Sequence, residues 1–246
     1  YELTEQFYEW SAPEQSGDVA ALNSAQIDVV ENFSDPYSQS YGYASLGTYA
    51  FQDGDVTRAR SLVETAVQKV AGLEESSQPE TFSLLLGGYS LNAVLGTVLI
   101  QIGEYERGVS LIRGVGSSEI SVVQVYQLLS TVQLLSDAAQ FELAAEMIAD
   151  AEAAVRQSED AEYFLGSIAI AYLQNNQIAP GQRIIQEIID DVESAEAEAV
   201  YFQLSQVAAQ LVRVGQDSLA EDIAQKITSP TLKLSILTAM AHEYYF

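Results

Sequence analysis

Neighbouring carboxylates are the residues of this sequence that come closest to a catalytic pattern. Three groups stand out: Asp53 with Asp55, Asp190 with Asp191, and Glu193 with Glu196 and Glu198. A carboxylate pair can transfer protons when its surroundings push the two pKa values apart, as burial of one partner does. Nothing in the flanking sequence predicts such burial, and solvated turns and helix N-termini favour negative charge in any case. We therefore expect no catalytic residue among them.

Calcium is the metal that the oxygen-rich turns of this chain would attract. Asp53-Gly54-Asp55 and residues 158–162 each place hard oxygen ligands close together. Neither segment has the D-x-D-x-D-G spacing with a distant glutamate that marks a calcium loop. We expect solvated turns at both places, with no metal site and no cofactor.

Other patterns of enzyme chemistry are missing from the sequence. The chain has no cysteine and a single histidine, His242, which excludes an internal His-based triad and a thiolate zinc site. We expect His242 to be a surface or packing residue. Leu86-Gly87-Gly88 and Gly114-Val115-Gly116 lack the lysine and following Ser or Thr of a phosphate-binding loop. The sequence therefore predicts a protein that is not an enzyme.

The charge of the chain limits its partners. There are 35 acidic and 10 basic residues, a formal net charge of −25, which repels nucleic acid and anionic membrane surfaces. The uncharged stretch from Thr81 to Gly103 is interrupted by glycines and polar residues, so we expect a buried core helix and no membrane insertion. Scarce lysine and abundant carboxylates favour a bacterial periplasmic or secreted setting, although composition leaves the compartment, including the cytoplasm, open.

Internal repetition is the most informative feature of the sequence. Segments 46–59 and 95–108 share Leu, Gly, Thr, Gln, Gly and Arg without a gap. With the second glycine as a reference, equivalent positions follow at spacings of 49, 36, 37 and 39 residues: Gly54, Gly103, Ala139, Asn176 and Gly215. We call these five the turn residues, because a short turn with positive φ costs glycine and asparagine least.

Residues at fixed distances from the turn residues predict helical hairpins. Seven residues before them the positions are mostly small, and five residues after them all are small: Ala59, Gly108, Ala144, Gly181 and Ala220. The positions nine and twelve residues after them are apolar throughout, as on one stripe of a helix. Small residues on both sides of a turn let two antiparallel helices approach closely. Each unit is therefore predicted to be a helix, a tight turn and a second helix.

The repeat frame extends to both ends of the chain. Gly17-Asp18-Val19 echoes Gly54-Asp55-Val56, so residues 18–33 are predicted to form the second helix of a degenerate unit. Residues 231–246 are predicted to be the first helix of a sixth unit, cut before its turn. Pro36, Pro79 and Pro230 fall in connections, and Pro180 falls in the first turn of a second helix, where proline is tolerated. We expect eleven or twelve helices, no sheet, and one domain over residues 1–246, with a degenerate N-terminal unit at 1–33 and repeats over 34–246.

The hairpin unit resembles the tetratricopeptide repeat. The resemblance covers residues 17–246 and is carried by Leu-Gly or Ile-Ala in the first helix, a Gly-Glu-Tyr or Gly-Asp-Val turn, and a small residue five positions on. Gly96, Gly103, Tyr105 and Gly108 form the best copy. The closing proline of the family is mostly missing and the spacings are longer than usual, so a related helical-hairpin solenoid is the alternative. The resemblance implies an all-α, right-handed superhelical stack of antiparallel helix pairs with five to six units.

By analogy with that family, we expect the first helices to line a concave groove that binds a neutral or basic protein or peptide segment. Aromatic residues thirteen positions before the turn residues, and apolar and glutamine residues two or three before them, would form it. The predicted groove residues are Tyr41, Phe51, Ile100, Gln101, Tyr126, Tyr163, Leu173, Gln174 and Phe202. An alternative for Tyr126, Tyr163 and Phe202 is that they fill space between adjacent units.

The predicted function is a non-catalytic scaffold for protein–protein interaction. The alternative is a passive structural or assembly domain of a larger protein, extracytoplasmic and calcium-associated. The oligomeric state is left open by the sequence.

Overall fold

The structure, a computed structural model, describes residues 19–73, 90–113, 122–157, 161–192, 198–227 and 229–245. These residues form twelve helices and no strand, as expected, and the helices pack in adjacent pairs, which is compatible with a helical repeat. Pro79 and the carboxylates at 193 and 196 lie outside the described residues, and so does most of the 158–162 turn.

Contacts between Cα atoms divide the chain into two compact units, Tyr1–Phe82 and Ser83–Phe246. The first contains α1 (Val19–Glu31), α2 (Pro36–Gln52) and α3 (Val56–Val70). The second contains α4 (Leu91–Gln101), α5 (Tyr105–Arg113), α6 (Val122–Asp137), α7 (Phe141–Val155), α8 (Ala161–Gln174), α9 (Ile178–Val192), α10 (Glu198–Arg213), α11 (Asp217–Lys226) and α12 (Pro230–Tyr245). The helix pairs are α2/α3, α4/α5, α6/α7, α8/α9 and α10/α11.

The five predicted turns have the same backbone structure. Every turn residue has positive φ, from 58° at Ala139 and Asn176 to 88° at Gly103. In each turn the following N–H donates to the carbonyl five residues earlier, at 2.8 or 2.9 Å, as Glu104 does to Leu99 and Gln177 to Tyr172. This is the six-to-one bond of a Schellman cap, which satisfies a carbonyl at the end of the first helix. The five predicted turn positions are therefore confirmed.

Small residues bring the paired helices into close contact, as predicted. A Cβ atom added to Gly108 would lie 2.5 Å from the carbonyl oxygen of Gly96, and one added to Gly96 would lie 2.6 Å from the carbonyl oxygen of Gly108. The equivalent atom on Gly47 would lie 2.6 Å from a Val63 methyl group. Gly96 and Gly108 are needed because the facing backbone fills the space of a side chain, and at Gly47 the Val63 side chain fills it.

The core of the second unit runs between the helix pairs. Its first helices α4, α6, α8, α10 and α12 each contact the next in that order, and each pair closes on apolar residues of its second helix. The fully buried side chains include Leu135, Ile148, Ile168, Ile185 and Leu211. This packing holds the first helices side by side, so that their exposed sides form a continuous surface.

Candidate functional site: the first-helix surface

Helices α6 and α8 run side by side in the same direction. Near their N-terminal ends the rings of Tyr126 and Phe164 meet edge to face, with centroids 5.7 Å apart. Near their C-terminal ends the Ser136 hydroxyl lies 3.4 Å from the side-chain oxygen of Asn175. The ten residues from Tyr126 to Ser136 rise about 15 Å, the length of four or five residues of an extended peptide.

A cavity of about 200 Å³ opens between these two helices toward their C-terminal ends. Every described residue that lines it is uncharged: Leu129, Val132, Gln133, Ser136, Ser167, Ile170, Ala171 and Gln174. Leu129 and Ile170 are half-buried, and Tyr126 on the same side of α6 is 55% exposed. We call the cavity and Tyr126 together the first-helix surface. It combines an apolar recess, an aromatic ring and amide side chains without charge, which suits contact with a peptide side chain.

The nine predicted groove residues differ in burial and in the helices that carry them. Tyr41 and Phe51 are half-buried on α2, and Gln101 is exposed at the end of α4. Tyr126 and Gln174 both belong to the first-helix surface, at its opposite ends. Tyr163 and Phe202 lie on α8 and α10, but their side chains are outside the described residues.

Ile100 and Leu173 lie inside their hairpins, each 2% exposed. Both stand three residues before a turn residue, opposite the small residue that begins the second helix. A Cβ atom on Gly108 would lie 2.7 Å from Ile100, and one on Gly181 would lie 3.0 Å from Leu173. These two side chains fill the space that the glycines leave, so they are core residues of their hairpins and do not line a groove.

Asn175 is a residue of this region that the sequence analysis missed. It is 5% exposed, and its side-chain N–H donates to the Phe141 carbonyl at 3.1 Å. Together with the contact to Ser136 this joins the end of α8 to the end of α6 and the start of α7. The signal in the sequence is a polar residue directly before the turn residue Asn176, where Ile102, Ala138 and Val214 stand in the other helix pairs of the second unit.

The opposite side of the hairpins carries ion pairs. Arg113 of α5 donates to Glu146 at 2.8 Å and to Asp150 at 2.6 Å, both on α7. Arg156, at the end of α7, forms a two-fold contact with Glu187 of α9 at 2.7 Å. We call these five residues the second-helix surface. Since their partners lie 31 to 37 residues away, close to one repeat, these arginines connect consecutive units.

A buried glutamate extends this network into the core. Glu152 of α7 is 8% exposed and accepts hydrogen bonds from Tyr172 at 2.8 Å, Arg156 at 2.8 Å and Arg183 at 2.7 Å. The three donors come from α8, from the end of α7 and from α9. A buried carboxylate with this many partners is stabilised in its charged form.

The pKa values in this network follow from the same contacts. Burial alone raises the pKa of Glu152, but the hydrogen bonds from Arg183, Arg156 and Tyr172 outweigh it and hold that pKa below its usual value. Burial, aided by the bond to Glu152, raises the pKa of Tyr172 to about 12. At neutral pH Glu152 is therefore a charged acceptor and Tyr172 a neutral donor, an arrangement that connects helices.

A larger cavity of about 840 Å³ lies where α5 and α7 begin. Its lining includes Glu104, Glu106, Glu142 and Glu146 together with Arg107 and Phe141, whose ring is 53% exposed. Glu106 and Glu142 stand in the first turns of their helices, where the helix dipole favours negative charge. The helix dipole therefore explains why Glu106 and Glu142 lie at these positions, and no bound ligand is needed to explain them.

The remaining candidates from the sequence have local roles. The Asp55 carboxylate caps α3 by accepting from the Arg58 N–H at 3.0 Å. Within the described residues no group of three or more His, Asp or Glu side chains is placed to hold a metal ion. The His242 side chain is 66% exposed, and its Nδ1 lies 3.7 Å from Glu243. Among the described helices none has the length and apolarity needed to cross a membrane.

The chain matches no protein-family model, and no curated protein is significantly similar to it in sequence.

Proposed function

We propose that this protein is a non-catalytic scaffold that binds a protein segment on its first-helix surface. The helix pairs then stack as a right-handed, tetratricopeptide-like superhelix with the first helices on the concave side, the arrangement that its repeat resembles. The observation that carries the proposal is the uncharged cavity between α6 and α8 with Tyr126 exposed beside it.

Charge defines the ligand. The chain carries a net charge of −25, yet the described lining of this cavity holds no charged side chain. An apolar side chain of the ligand can enter the cavity without burying an unpaired charge. The negative field of the chain attracts Lys and Arg residues that flank this side chain in the ligand. The ligand is therefore an extended segment with one apolar anchor and neutral or basic neighbours.

The test is selection of peptides from a random display library by the full chain. We expect enriched sequences with an apolar or aromatic residue flanked by Lys or Arg. Gln174→Trp, which fills the mouth of the cavity, should weaken the best peptide at least about tenfold.

The matched control is Gln182→Trp, since Gln182 is also exposed but lies on α9. It should leave the affinity unchanged, and both variants should melt like the parent. If no peptide is enriched, or if Gln174→Trp binds as the parent does, the proposal fails and the alternative of a structural assembly domain gains support.

A further inference from the structure

The cavity between α6 and α8 has an apolar inner end and a polar mouth. Its two most buried lining residues are Val132 and Ala171, which are 4% and 6% exposed. Gln133 and Gln174 are exposed and so lie at the mouth, and the half-buried sides are formed by Leu129, Ser136, Ser167 and Ile170. A side chain that enters the cavity therefore meets the methyl groups of Val132 and Ala171 at its tip.

Ala171 leaves more space at its position than its counterparts do. It lies five residues before the turn residue Asn176, where the other helix pairs of the second unit have Val98, Leu134 and Gln210. Gln210 is 8% exposed, so α10 buries a side chain of several more atoms at the same position. The small size of Ala171 therefore contributes to the depth of the cavity, and a larger residue there would fill it.

The C-terminal end of the cavity is held in place by Asn175. The Asn175 side-chain N–H donates to the Phe141 carbonyl at 3.1 Å, and its oxygen lies 3.4 Å from the Ser136 hydroxyl on the cavity wall. Asn175 itself is 5% exposed. Because these contacts join α8 to α6 and α7, the cavity exists before a ligand binds, which lowers the entropic cost of binding.

The volume of the cavity indicates the size of the side chain that enters it. An apolar protein cavity of ~150 Å³ is large enough to bind benzene. With about 200 Å³, the cavity between α6 and α8 has room for a phenyl ring and the methylene group that carries it. An alanine or valine side chain would leave much of this volume unfilled and lose dispersion contacts. The phenol oxygen of a tyrosine would meet Val132 and Ala171, whose side chains offer no hydrogen-bond partner.

On the basis of the proposed function, we propose that the anchor of the bound segment is phenylalanine and that Ala171 determines this specificity. Asp137 places negative charge beside the mouth, because it accepts from the Gln133 side chain at 2.7 Å. A lysine next to the anchor therefore finds a carboxylate nearby, while the described lining of the cavity is uncharged. The partner is a protein that presents a phenylalanine between basic residues in an extended segment.

The test uses blocked five-residue peptides with lysine at both ends, alanine beside each lysine and one variable residue in the centre. Methyl-resolved NMR titration of the full chain measures the affinity of each peptide and shows which methyl groups respond. The phenylalanine peptide should bind with a Kd of about 1 mM or below and shift the methyl signals of Val132 and Ala171. The tyrosine peptide should bind at least about threefold more weakly, and the alanine peptide at least about tenfold more weakly.

Two variants change the cavity in opposite directions. Ala171→Leu introduces the residue that α6 has at this position, so the phenylalanine peptide should bind about tenfold more weakly and no better than the alanine peptide. Val132→Ala introduces the residue that α8 and α10 have at its position. In this enlarged cavity a tryptophan peptide should gain at least about threefold in affinity relative to the phenylalanine peptide.

Ala153→Leu is the matched control, because Ala153 is exposed on α7. It should bind every peptide as the parent does. Circular dichroism of each variant shows whether the fold is kept, and Val132→Ala decides the question if Ala171→Leu unfolds. Equal affinities of the phenylalanine and alanine peptides, or an unchanged preference in the variants, would overturn the phenylalanine specificity and leave the proposed scaffold function standing. If none of these peptides binds, the specificity is overturned as well, and the library selection alone decides the scaffold function.

Discussion

The first-helix surface and the second-helix surface belong to the same hairpins, but they use charge in opposite ways. The described lining of the first-helix cavity is uncharged, while the second-helix surface pairs Arg113 and Arg156 with carboxylates one repeat away. Arg113 and Arg156 are two of the ten basic residues of the chain, and both join second helices of consecutive pairs, whereas Arg213 pairs with Glu243 between the first helices α10 and α12. The ion pairs of the second-helix surface therefore have a structural role, and the uncharged first-helix surface is the one proposed to bind a ligand.

This comparison predicts that the two surfaces can be disrupted separately. Changes to the network around Glu152 should lower stability and leave peptide binding intact. Changes to Tyr126 or Gln174 should weaken peptide binding and leave stability intact.

The largest effect is expected for Glu152→Ala. Removal of this carboxylate leaves Tyr172 without its acceptor and breaks the contacts to Arg156 and Arg183. We expect a loss of about 2–4 kcal/mol in the free energy of unfolding, less than for a fully buried pair because both arginines reach solvent. Urea denaturation measures it.

The control for this variant is Glu146→Ala, since the Glu146 side chain is 55% exposed. It should cost about 0–1 kcal/mol, as exposed ion pairs do. Equal losses for the two variants would show that burial of Glu152 contributes nothing.

Gly108→Ala tests the close contact between the paired helices α4 and α5. The added Cβ would meet the Gly96 carbonyl at 2.5 Å, so we expect a loss of about 1–3 kcal/mol from overpacking. Gly181→Ala should cost less, because the nearest atom is a Leu173 side-chain carbon at 3.0 Å that can move. Thermal melting compares the two, and the opposite order would contradict the pairing described here.

The pH dependence of stability should distinguish the network around Glu152 from the first-helix surface. The pKa of Glu152 is lowered in the folded protein, so its contribution is present above the unfolded value of about 4.3 and is lost as the pH falls through the folded value. The difference in Tm between the parent and Glu152→Gln should shrink as the pH falls from about 6 to about 3. The difference for Gln174→Trp should stay constant over this range, and a parallel change would assign the titration to other groups.

The smallest effect, and the only expected increase in stability, concerns a turn residue. Ala139 has a φ of 58°, where a Cβ atom is unfavourable, whereas Gly103 occupies the same position of the preceding turn. Ala139→Gly should raise the free energy of unfolding by about 0.5–1 kcal/mol after the entropy cost of glycine. An unchanged or lower Tm would show that this turn relaxes without strain.

Much of the fold could be predicted from the sequence because turns with positive φ and close contacts between helices require particular residues. Gly54, Gly103 and Gly215 mark positive φ, and Gly96 with Gly108 marks a close approach between helices. The lengths of the segments between such positions then predict helices. Pro180 in the first turn of α9 agrees with the same frame.

The candidate site was less accessible to sequence analysis, because repeat position does not tell which side of a first helix faces a ligand. Ile100 and Leu173 fit the predicted column, but they face the glycines of their own second helices and are buried. The Glu152 network joins residues from three helices, and its one signal is Tyr172 in a column where Leu99, Leu135 and Leu211 are buried. A phenol in an apolar column requires a hydrogen-bond partner, but the sequence does not say which one.

The most direct test of the central claim compares two aromatic residues of nearly equal exposure on the two sides. Tyr126 is 55% exposed on α6, and Phe141 is 53% exposed on α7. Affinity for the peptide selected by the full chain is measured by calorimetry for Tyr126→Ala and Phe141→Ala. We predict that Tyr126→Ala weakens binding by about 1–2 kcal/mol and that Phe141→Ala leaves it unchanged. Equal affinities, or a loss only with Phe141→Ala, would contradict a binding site on the first-helix surface.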